Sequence, residues 1–311
     1  MATRITKAPA DLATADTTIK QYAGKINLAE VLVTRLRRLD DNTYTVALRW
    51  PRTHAFYAPT HQGYNPLLFV ESVRQSLSVI SYGGLDVPME HRMSWEFLGC
   101  EVVRTALYGG TVPAAVEIDV RLEPVTRRRL GSIRFAARAH ATRDGLPLGT
   151  AELKYTAHPP AIYRRLRGRN ASVAQAGART LPPPPPIPAT LAGRTSERDV
   201  VLARGDGPRR WLLRADVTHP ILFDHPHDHI PGMVLLEAAC QAVQADAAPA
   251  RITPIALTST FFRYVELDLL CWIIAGPADT DERGRRRQMV SGVQGDKVVF
   301  SVVIASEPTV T

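Results

Sequence analysis

The sequence predicts an α+β protein made of two copies of one domain, each with a long apolar helix followed by a meander of strands. The segment around Glu71 recurs around Glu237, 166 positions later (237 − 71), and the same offset relates Gln75 to Gln241 and His61 to His227. In both halves, runs of alternating apolar and polar residues follow the helix. A period of half the chain is too long for a solenoid repeat and fits a duplicated domain.

The first copy is predicted to span residues 28–158. Residues 43–50 are mostly β-branched or aromatic and are followed by a proline, which is typical of a strand. Residues 67–82 contain neither proline nor glycine, place apolar residues at helical spacing and are followed by two glycines, which predicts a helix. Four further strands are predicted at 92–103, 115–122, 133–140 and 150–156.

The second copy is predicted to span residues 199–311 and repeats this order. A strand at 211–217, a polar loop at 219–230 and a helix from Gly232 to about residue 247 precede strands at 255–264, 267–274, 288–293 and 297–304. Residues 159–198 are expected to be a Pro/Arg-rich linker, because Leu181 precedes five consecutive prolines that favour an extended conformation. Residues 1–27 lack sustained periodicity and are expected to be a flexible tail.

The bulk composition indicates a globular protein. Its charge balance suits an acidic partner, such as nucleic acid, an acidic carrier protein or a phosphorylated substrate, while arginine runs on hairpin tips are usually just solvated. Of the 311 residues 45% are hydrophobic, and the formal net charge is +8. Three arginine runs carry much of the positive excess: Arg127–Arg129, Arg164–Arg165 with Arg167 and Arg169, and Arg285–Arg287. No motif points to nucleic acid, no apolar run approaches a membrane span, and the three cysteines imply no disulfide framework, so we expect a cytoplasmic protein.

Each predicted helix carries a glutamate and a glutamine one turn apart in an otherwise apolar segment. Burial should raise the pKa of Glu71 and Glu237, which suits general acid–base catalysis. The alternative is a carboxylate paired with an arginine, and Arg74 lies three residues after Glu71, where such a pair can form.

The polar loop before the second helix is rich in histidine. His225, His227 and His229 alternate with Pro226 and Asp228, so an extended segment would present the three imidazoles on one side. Their spacing matches no standard zinc ligand set, and we expect no metal. Structural hydrogen bonding and substrate binding or catalysis stay open for these histidines, and Asp228 is placed to cap or brace the loop.

Residues 218–238, THPILFDHPHDHIPGMVLLEA, resemble the signature of the A-factor biosynthesis family, the γ-butyrolactone-type autoregulator synthases. The first copy is similar, with Pro66-Leu67-Leu68 followed by Glu71-Ser72-Val73-Arg74-Gln75. The resemblance implies two fused hotdog domains that form a pseudo-dimer, each with a central helix wrapped by an antiparallel sheet. In that fold, active sites lie at the interface and combine a loop of one copy with a helix carboxylate of the other.

The resemblance also implies an acyltransferase. It would move a β-ketoacyl group from acyl carrier protein to dihydroxyacetone phosphate, on the way to a γ-butyrolactone, butenolide or furan signal, without a cofactor. The implied catalytic residues are Glu71, Glu237 and Arg74, with Arg74 binding the phosphate or holding Glu71. Backbone N–H groups at either helix N-terminus would serve the oxyanion and the phosphate. The expected substrate-binding residues are His225, His227, Asp228, His229, Gln75 and Gln241.

Two departures from related motifs matter for the chemistry. Hotdog dehydratases place their histidine fourteen residues before the glutamate, where this chain has Phe223, and His225 lies two residues late. The family usually has an arginine three residues after the second helix glutamate, where this chain has Cys240. Either the Glu71 site works alone, or an arginine elsewhere supplies the charge. Cys240 is a conceivable thioester nucleophile, although a cysteine in an apolar helix is more typical of an inert core.

Two rival functions are compatible with these residues. A hotdog dehydratase or thioesterase would act on acyl thioesters without a phosphorylated acceptor. A non-catalytic hotdog ligand-binding protein would retain ligand binding and biological output after Glu71→Gln.

Overall fold

A single antiparallel sheet of fourteen strands runs through both halves of the protein. The structure is a computed structural model, and it describes residues 11–13, 17–58, 63–109, 113–128 and 130–309. The helices are α1 (Thr17–Tyr22), α2 (Leu67–Val79), α3 (Pro160–Arg167), α4 (Val173–Ala178) and α5 (Gly232–Ala247). The strands, β1 to β14 in chain order, are Asp11–Ala13, Val33–Arg38, Thr43–Trp50, Arg92–Val102, Ala114–Leu122, Thr126–Arg127, Ile133–Arg143, Leu146–His158, Leu202–Gly207, Arg210–Leu213, Ile252–Phe261, Cys271–Thr280, Arg286–Gln294 and Lys297–Pro308.

The two repeats are joined edge to edge within this sheet. The strand order is β1-β2-β3-β5-β7-β8-β4-β11-β14-β13-β12-β10-β9, with β6 paired to β7 beside the path. Strands β4 and β11 meet at the centre, where residues 97–101 pair with residues 256–260. The described sheet is therefore continuous across the pseudo-dimer, and the expected α+β organisation with a duplicated helix and meander is confirmed.

The central helices α2 and α5 lie against the sheet and contact each other. In α2 every residue except Arg74 is buried, because most of its residues are apolar or small and the polar Glu71 and Gln75 are hydrogen-bonded to each other. Strand β5 alternates buried and exposed residues along its full length, as expected for a sheet with one face on the core. Among the described residues no helix is long and apolar enough to cross a membrane.

The predicted flexible tail is too long at its C-terminal end. Helix α1 forms within it, and Ile19 and Ala23 are fully buried against the first repeat. Burial of these apolar side chains stabilises a segment that lacks clear sequence periodicity. Residues 1–10 and 14–16 of the predicted tail, and His61, lie outside the described residues.

The predicted linker also contains more regular structure than expected. Helices α3 and α4 precede the proline run, and the side chains of Arg167 and Arg194 are buried. Strand β2 and strand β9 had no counterpart in the prediction, and the strand predicted at 267–274 instead begins at Cys271. The outer limits of the two domains stay predictions.

Candidate active site

A cavity of about 770 Å³ lies between the two repeats. The first repeat contributes Glu71 and Arg74 of α2. The second contributes the N-terminus of α5 and the loop before it, residues 225–229, which we call the histidine loop. Part of its wall is apolar and includes Trp95 and Phe261, whose rings pack edge to face at 5.9 Å. The cavity therefore combines charged groups and an apolar surface from both repeats.

Glu71 is held by three side chains at the cavity wall. Arg74 donates from Nε to Oε2 and from Nη2 to Oε1, both at 2.8 Å, in a bidentate pair. Gln75 donates to Oε1 at 2.8 Å, and Lys25 Nζ lies 3.4 Å from the same oxygen. Arg74 Nη1 has no hydrogen-bond partner among the described residues, so it is available to a ligand.

The ionisation of Glu71 differs from the expectation. Burial alone would raise its pKa, but the charges of Arg74 and Lys25 outweigh burial and lower the pKa to about 2. The predicted raised pKa is therefore wrong, and the alternative of a carboxylate paired with an arginine is correct for Glu71. A carboxylate that is ionised at every physiological pH, with both oxygens engaged, is a weak proton acceptor.

This low pKa predicts a pH dependence of stability. In the folded protein the pKa of Glu71 is about 2, below the ordinary 4.5. The contribution of the ionised carboxylate to the free energy of unfolding is therefore complete above pH 4.5 and is lost as the pH falls toward 2. We expect the free energy of unfolding, measured with urea, to decrease over this window. Glu71→Gln should show a smaller decrease, and an equal decrease in both proteins would contradict the assignment.

Gln75 and Gln241 occupy equivalent positions and line no part of the cavity. Gln75 accepts the N–H of Leu32 at 2.8 Å and donates to Glu30 O and to Glu71. Gln241 accepts the N–H of Val201 at 2.9 Å and donates to the main-chain oxygen of Asp199 and to Glu237. Both amides are engaged within the protein, which indicates that they position the glutamates, and the expected contact with substrate stays a prediction.

The histidine loop is fixed by an ion-pair network from the predicted linker. The buried Asp228 carboxylate accepts Tyr163 Oη at 2.7 Å and Arg167 Nε at 3.3 Å. Its other oxygen lies 2.7 Å from His229 Nδ1. Burial opposes ionisation of Asp228, but the contacts with His229, Tyr163 and Arg167 lower its pKa far below the ordinary value. Asp228 therefore braces the loop as an anion and does not cap α5, whose N-cap is Pro231.

His229 is the histidine whose geometry suits proton transfer. An anionic Asp228 at Nδ1 holds the proton there, which leaves the Nε2 lone pair free. Nε2 has no hydrogen-bond partner among the described residues, and His229 lines the cavity. The ring is held edge to face against Tyr264 at 4.8 Å.

His225 and His227 also line the cavity, but they are kept neutral. Their rings lie 4.1 Å apart, and burial together with the neighbouring His225 and His229 lowers the pKa of His227 to about 3. Burial likewise lowers the pKa of His225, although Asp224 opposes the effect. Neither imidazole supplies positive charge near neutral pH.

The N-terminus of α5 faces the same cavity. Gly232 and Met233 line it, and as the first residues of the helix their N–H groups have no intrahelical acceptor. A side chain at Gly232 would meet Trp95, because an ideal Cβ there lies 3.3 Å from the indole. At the N-terminus of α2 the first N–H group is not available to a ligand, because Leu67 N–H donates to Asn65 Oδ1 at 2.8 Å.

The equivalent second site, around Glu237, does not open onto this cavity. Arg194 donates from Nε to Glu237 Oε1 at 2.8 Å, and its Nη2 lies 2.5 Å from Oε2. The same guanidinium donates to the main-chain oxygen of Phe56 at 2.8 Å and stacks on that ring, 4.0 Å from its centroid. Arg194 therefore supplies the charge that Cys240 cannot, and both side chains of the Arg194–Glu237 pair are buried. Glu71 lines the cavity and Glu237 does not, and the catalytic role expected for Glu237 stays a prediction.

Cys240 has none of the features of a reactive thiol. It lines no part of the cavity, and burial together with the nearby Glu237 raises its pKa well above the ordinary value. A thiol that stays protonated is a poor nucleophile. Among the described residues no cluster of three or more metal-ligating side chains is present.

Comparison with known proteins identifies the family. A family model described as the A-factor biosynthesis hotdog domain matches residues 6–159 and 176–303. The chain belongs to the A-factor biosynthesis family. The two matched segments correspond to the two repeats, and the expected fused hotdog domains are confirmed.

Curated relatives cover most of this family member. A 2-oxo-3-(phosphooxy)propyl 3-oxoalkanoate synthase of Streptomyces virginiae is 36% identical over 92% of this chain and 96% of its own length. A Streptomyces coelicolor protein of the same name is 33% identical, over 84% of this chain and 82% of its own length. The crystal structure of a Lactobacillus plantarum chain assigned as an oleoyl thioesterase superposes with a TM-score of 0.52, covering 88% of this chain and 99% of that one. At 13% identity it supports the fold alone.

Three site residues of this A-factor family member were absent from the prediction. Lys25 lies in the predicted tail, and Tyr163 and Arg194 lie in the predicted linker. Each reaches the site from a segment that the prediction assigned to neither repeat. The available signals were the arginines clustered beside the proline run and the missing family arginine at Cys240, which implied a replacement elsewhere.

Proposed function

We propose that the protein transfers a β-ketoacyl group from acyl carrier protein to a hydroxyl of dihydroxyacetone phosphate. The product is a 2-oxo-3-(phosphooxy)propyl 3-oxoalkanoate, the compound named in its curated relatives, and a precursor of a γ-butyrolactone-type signal. The observation that carries the proposal is one cavity in which α2 of the first repeat presents Arg74 and the second repeat presents the Asp228–His229 pair. The acyl carrier as donor and the cytoplasmic location belong to this proposal.

His229 is the proposed general base. Nε2 accepts the proton of the acceptor hydroxyl while the hydroxyl oxygen forms a bond to the carbonyl carbon of the thioester. The C–S bond then breaks, and the departing thiolate takes that proton from Nε2. Asp228 holds Nδ1–H throughout and stabilises the transient imidazolium, so no net proton is gained or lost.

The α5 N-terminus is the proposed oxyanion site. When the hydroxyl oxygen adds to the carbonyl, negative charge develops on the carbonyl oxygen, and the free N–H groups of Gly232 and Met233 can donate to it. The positive end of the helix dipole adds to this stabilisation. The apolar wall around Trp95 and Phe261 would take the acyl chain.

Arg74 and Lys25 are the proposed phosphate ligands. Arg74 Nη1 has no hydrogen-bond partner among the described residues, and Lys25 Nζ lies 3.4 Å from the Glu71 carboxylate that Arg74 also contacts. Glu71 is then a positioning residue, since it fixes the guanidinium by two hydrogen bonds. Such a pair presents one rigid donor to an anion.

The direct test is mass spectrometry of products after incubation with a β-ketoacyl thioester and dihydroxyacetone phosphate. An acylated phosphate ester, or the butenolide phosphate that it condenses to, would support the proposal. Free acid alone would indicate a thioesterase, and unchanged substrate would favour a ligand-binding protein.

Replacing Arg74 with alanine should separate the two substrates. We expect the KM for dihydroxyacetone phosphate to rise by about 10- to 100-fold, because a charged hydrogen bond is worth roughly 1.5–3 kcal/mol. The KM for the acyl donor should change by less than about threefold. Initial rates with each substrate varied in turn give both constants, and equal increases would argue against phosphate binding by Arg74.

A further inference from the structure

Among the exposed side chains that line the cavity, six are suited to contact a partner protein. Three are cationic and three are large and apolar: Arg92, Arg128, Arg263, Met89, Leu166 and Phe262. All six line the cavity that contains Glu71 and His229, and Phe262, for example, is 56% exposed. We call these six residues the mouth collar.

The collar arginines have no ionic or hydrogen-bond partner for their side chains among the described residues. The third arginine run of the sequence is different, because Arg285 pairs with Asp281 and Glu101, Arg286 with Asp246 and Arg287 with Asp279. Arg167, from the second run, is buried against Asp228 and Glu266. Three arginines without a partner among the described residues therefore line the cavity, whereas the arginine-rich run at 285–287 is largely neutralised by its own acids.

We infer that the mouth collar docks an acidic carrier protein, and this inference rests on the proposed function. A carrier delivers its acyl group on a long flexible arm, so its body must sit where the arm can enter the cavity. Unpaired cations complement an acidic surface, and exposed apolar side chains between them supply the contact area of a weak protein interface. The collar meets both requirements at the cavity that contains His229.

The test uses a triple variant, Arg92→Ala/Arg128→Ala/Arg263→Ala, and two donors with the same β-ketoacyl group. One donor is a loaded acyl carrier protein, and the other is the N-acetylcysteamine thioester, which has no protein body. We expect the KM for the carrier donor to rise at least about tenfold at low ionic strength, with little change for the small donor. The difference in the carrier KM between the triple variant and wild type should decrease as salt is added, because exposed charges are screened.

The matched control removes three other exposed arginines, in the variant Arg49→Ala/Arg52→Ala/Arg204→Ala. None of these lines the cavity, and the loss of charge is the same. If both triple variants raise the carrier KM equally, the effect belongs to net charge and the collar is not the docking surface. An unchanged carrier KM in the collar variant, or equal losses with both donors, would also overturn the inference.

A binding measurement separates this inference from the proposed reaction. Fluorescence anisotropy of a labelled, loaded carrier gives Kd without turnover. If wild-type protein binds the carrier and the collar variant does not, the docking surface stands even when no transfer is observed. Transfer from the small donor with no carrier binding would instead retain the reaction and reject the collar. Equal binding of a neutral carrier variant would reject charge complementarity, and so would preferential binding to anionic lipid vesicles.

Discussion

Replacing His229 with alanine is expected to lower kcat by about 10²- to 10⁴-fold, the usual contribution of a positioned general base. Nε2 of His229 is free in the described structure, whereas Nδ1 is fixed by Asp228 at 2.7 Å. The acceptor hydroxyl has an ordinary pKa far above neutrality, so its oxygen is a poor nucleophile unless a base takes the proton. Glu71 cannot substitute effectively, because its pKa is lowered to about 2.

The measurement is kcat at saturating concentrations of both substrates, with thermal unfolding used to verify that the variant is folded. His140→Ala is the matched control, since His140 is an exposed histidine on β7 that lines no part of this cavity. Asp228→Asn should lower kcat as well, because an amide can stabilise the other imidazole tautomer and cannot stabilise the imidazolium. If His229→Ala keeps most of its activity while Glu71→Gln loses it, Glu71 is the base and this assignment is wrong.

The parts of the fold that depend on local periodicity could be predicted from the sequence. Apolar residues at helical spacing predicted α2, and the alternation from Val116 to Leu122 predicted β5. The 166-residue offset between Glu71 and Glu237 predicted the duplicated domain without any structural information. The periodicities involve residues that are close together in the sequence, and the duplication is a segment that the sequence itself repeats.

The asymmetry between the two sites could not be predicted in the same way. It depends on Lys25 and Arg194, which reach the two glutamates from segments that have no helical or strand periodicity. The burial of Glu71, taken alone, gives the wrong sign for the shift of its pKa. Arg74 is visible in the sequence three residues after Glu71, whereas Lys25, 46 positions before Glu71 (71 − 25), approaches the carboxylate only in the folded chain.

We expect Arg194→Ala to destabilise the protein by about 3–5 kcal/mol, the usual cost of breaking a buried ion pair. The exposed fractions of the Arg194 and Glu237 side chains are 6% and 2%, so neither charge can be satisfied by water without rearrangement. Removal of Arg194 leaves the carboxylate with Gln241 as its remaining hydrogen-bond donor among the described residues. The free energy of unfolding from urea denaturation measures this loss.

The double variant Arg194→Ala/Glu237→Gln distinguishes a structural pair from a second catalytic site. Because an amide carries no charge, the double variant should recover a large part of the stability that the single variant loses. Its kcat at the Glu71 site should stay within about threefold of wild type, since Arg194 and Glu237 line no part of the cavity that holds His229. A stable double variant with a kcat reduced tenfold or more would mean that the Glu237 half takes part in the reaction. Retained activity with restored stability would mean that duplication supplied two helices, and that Arg194 converted one of the two sites into part of the core.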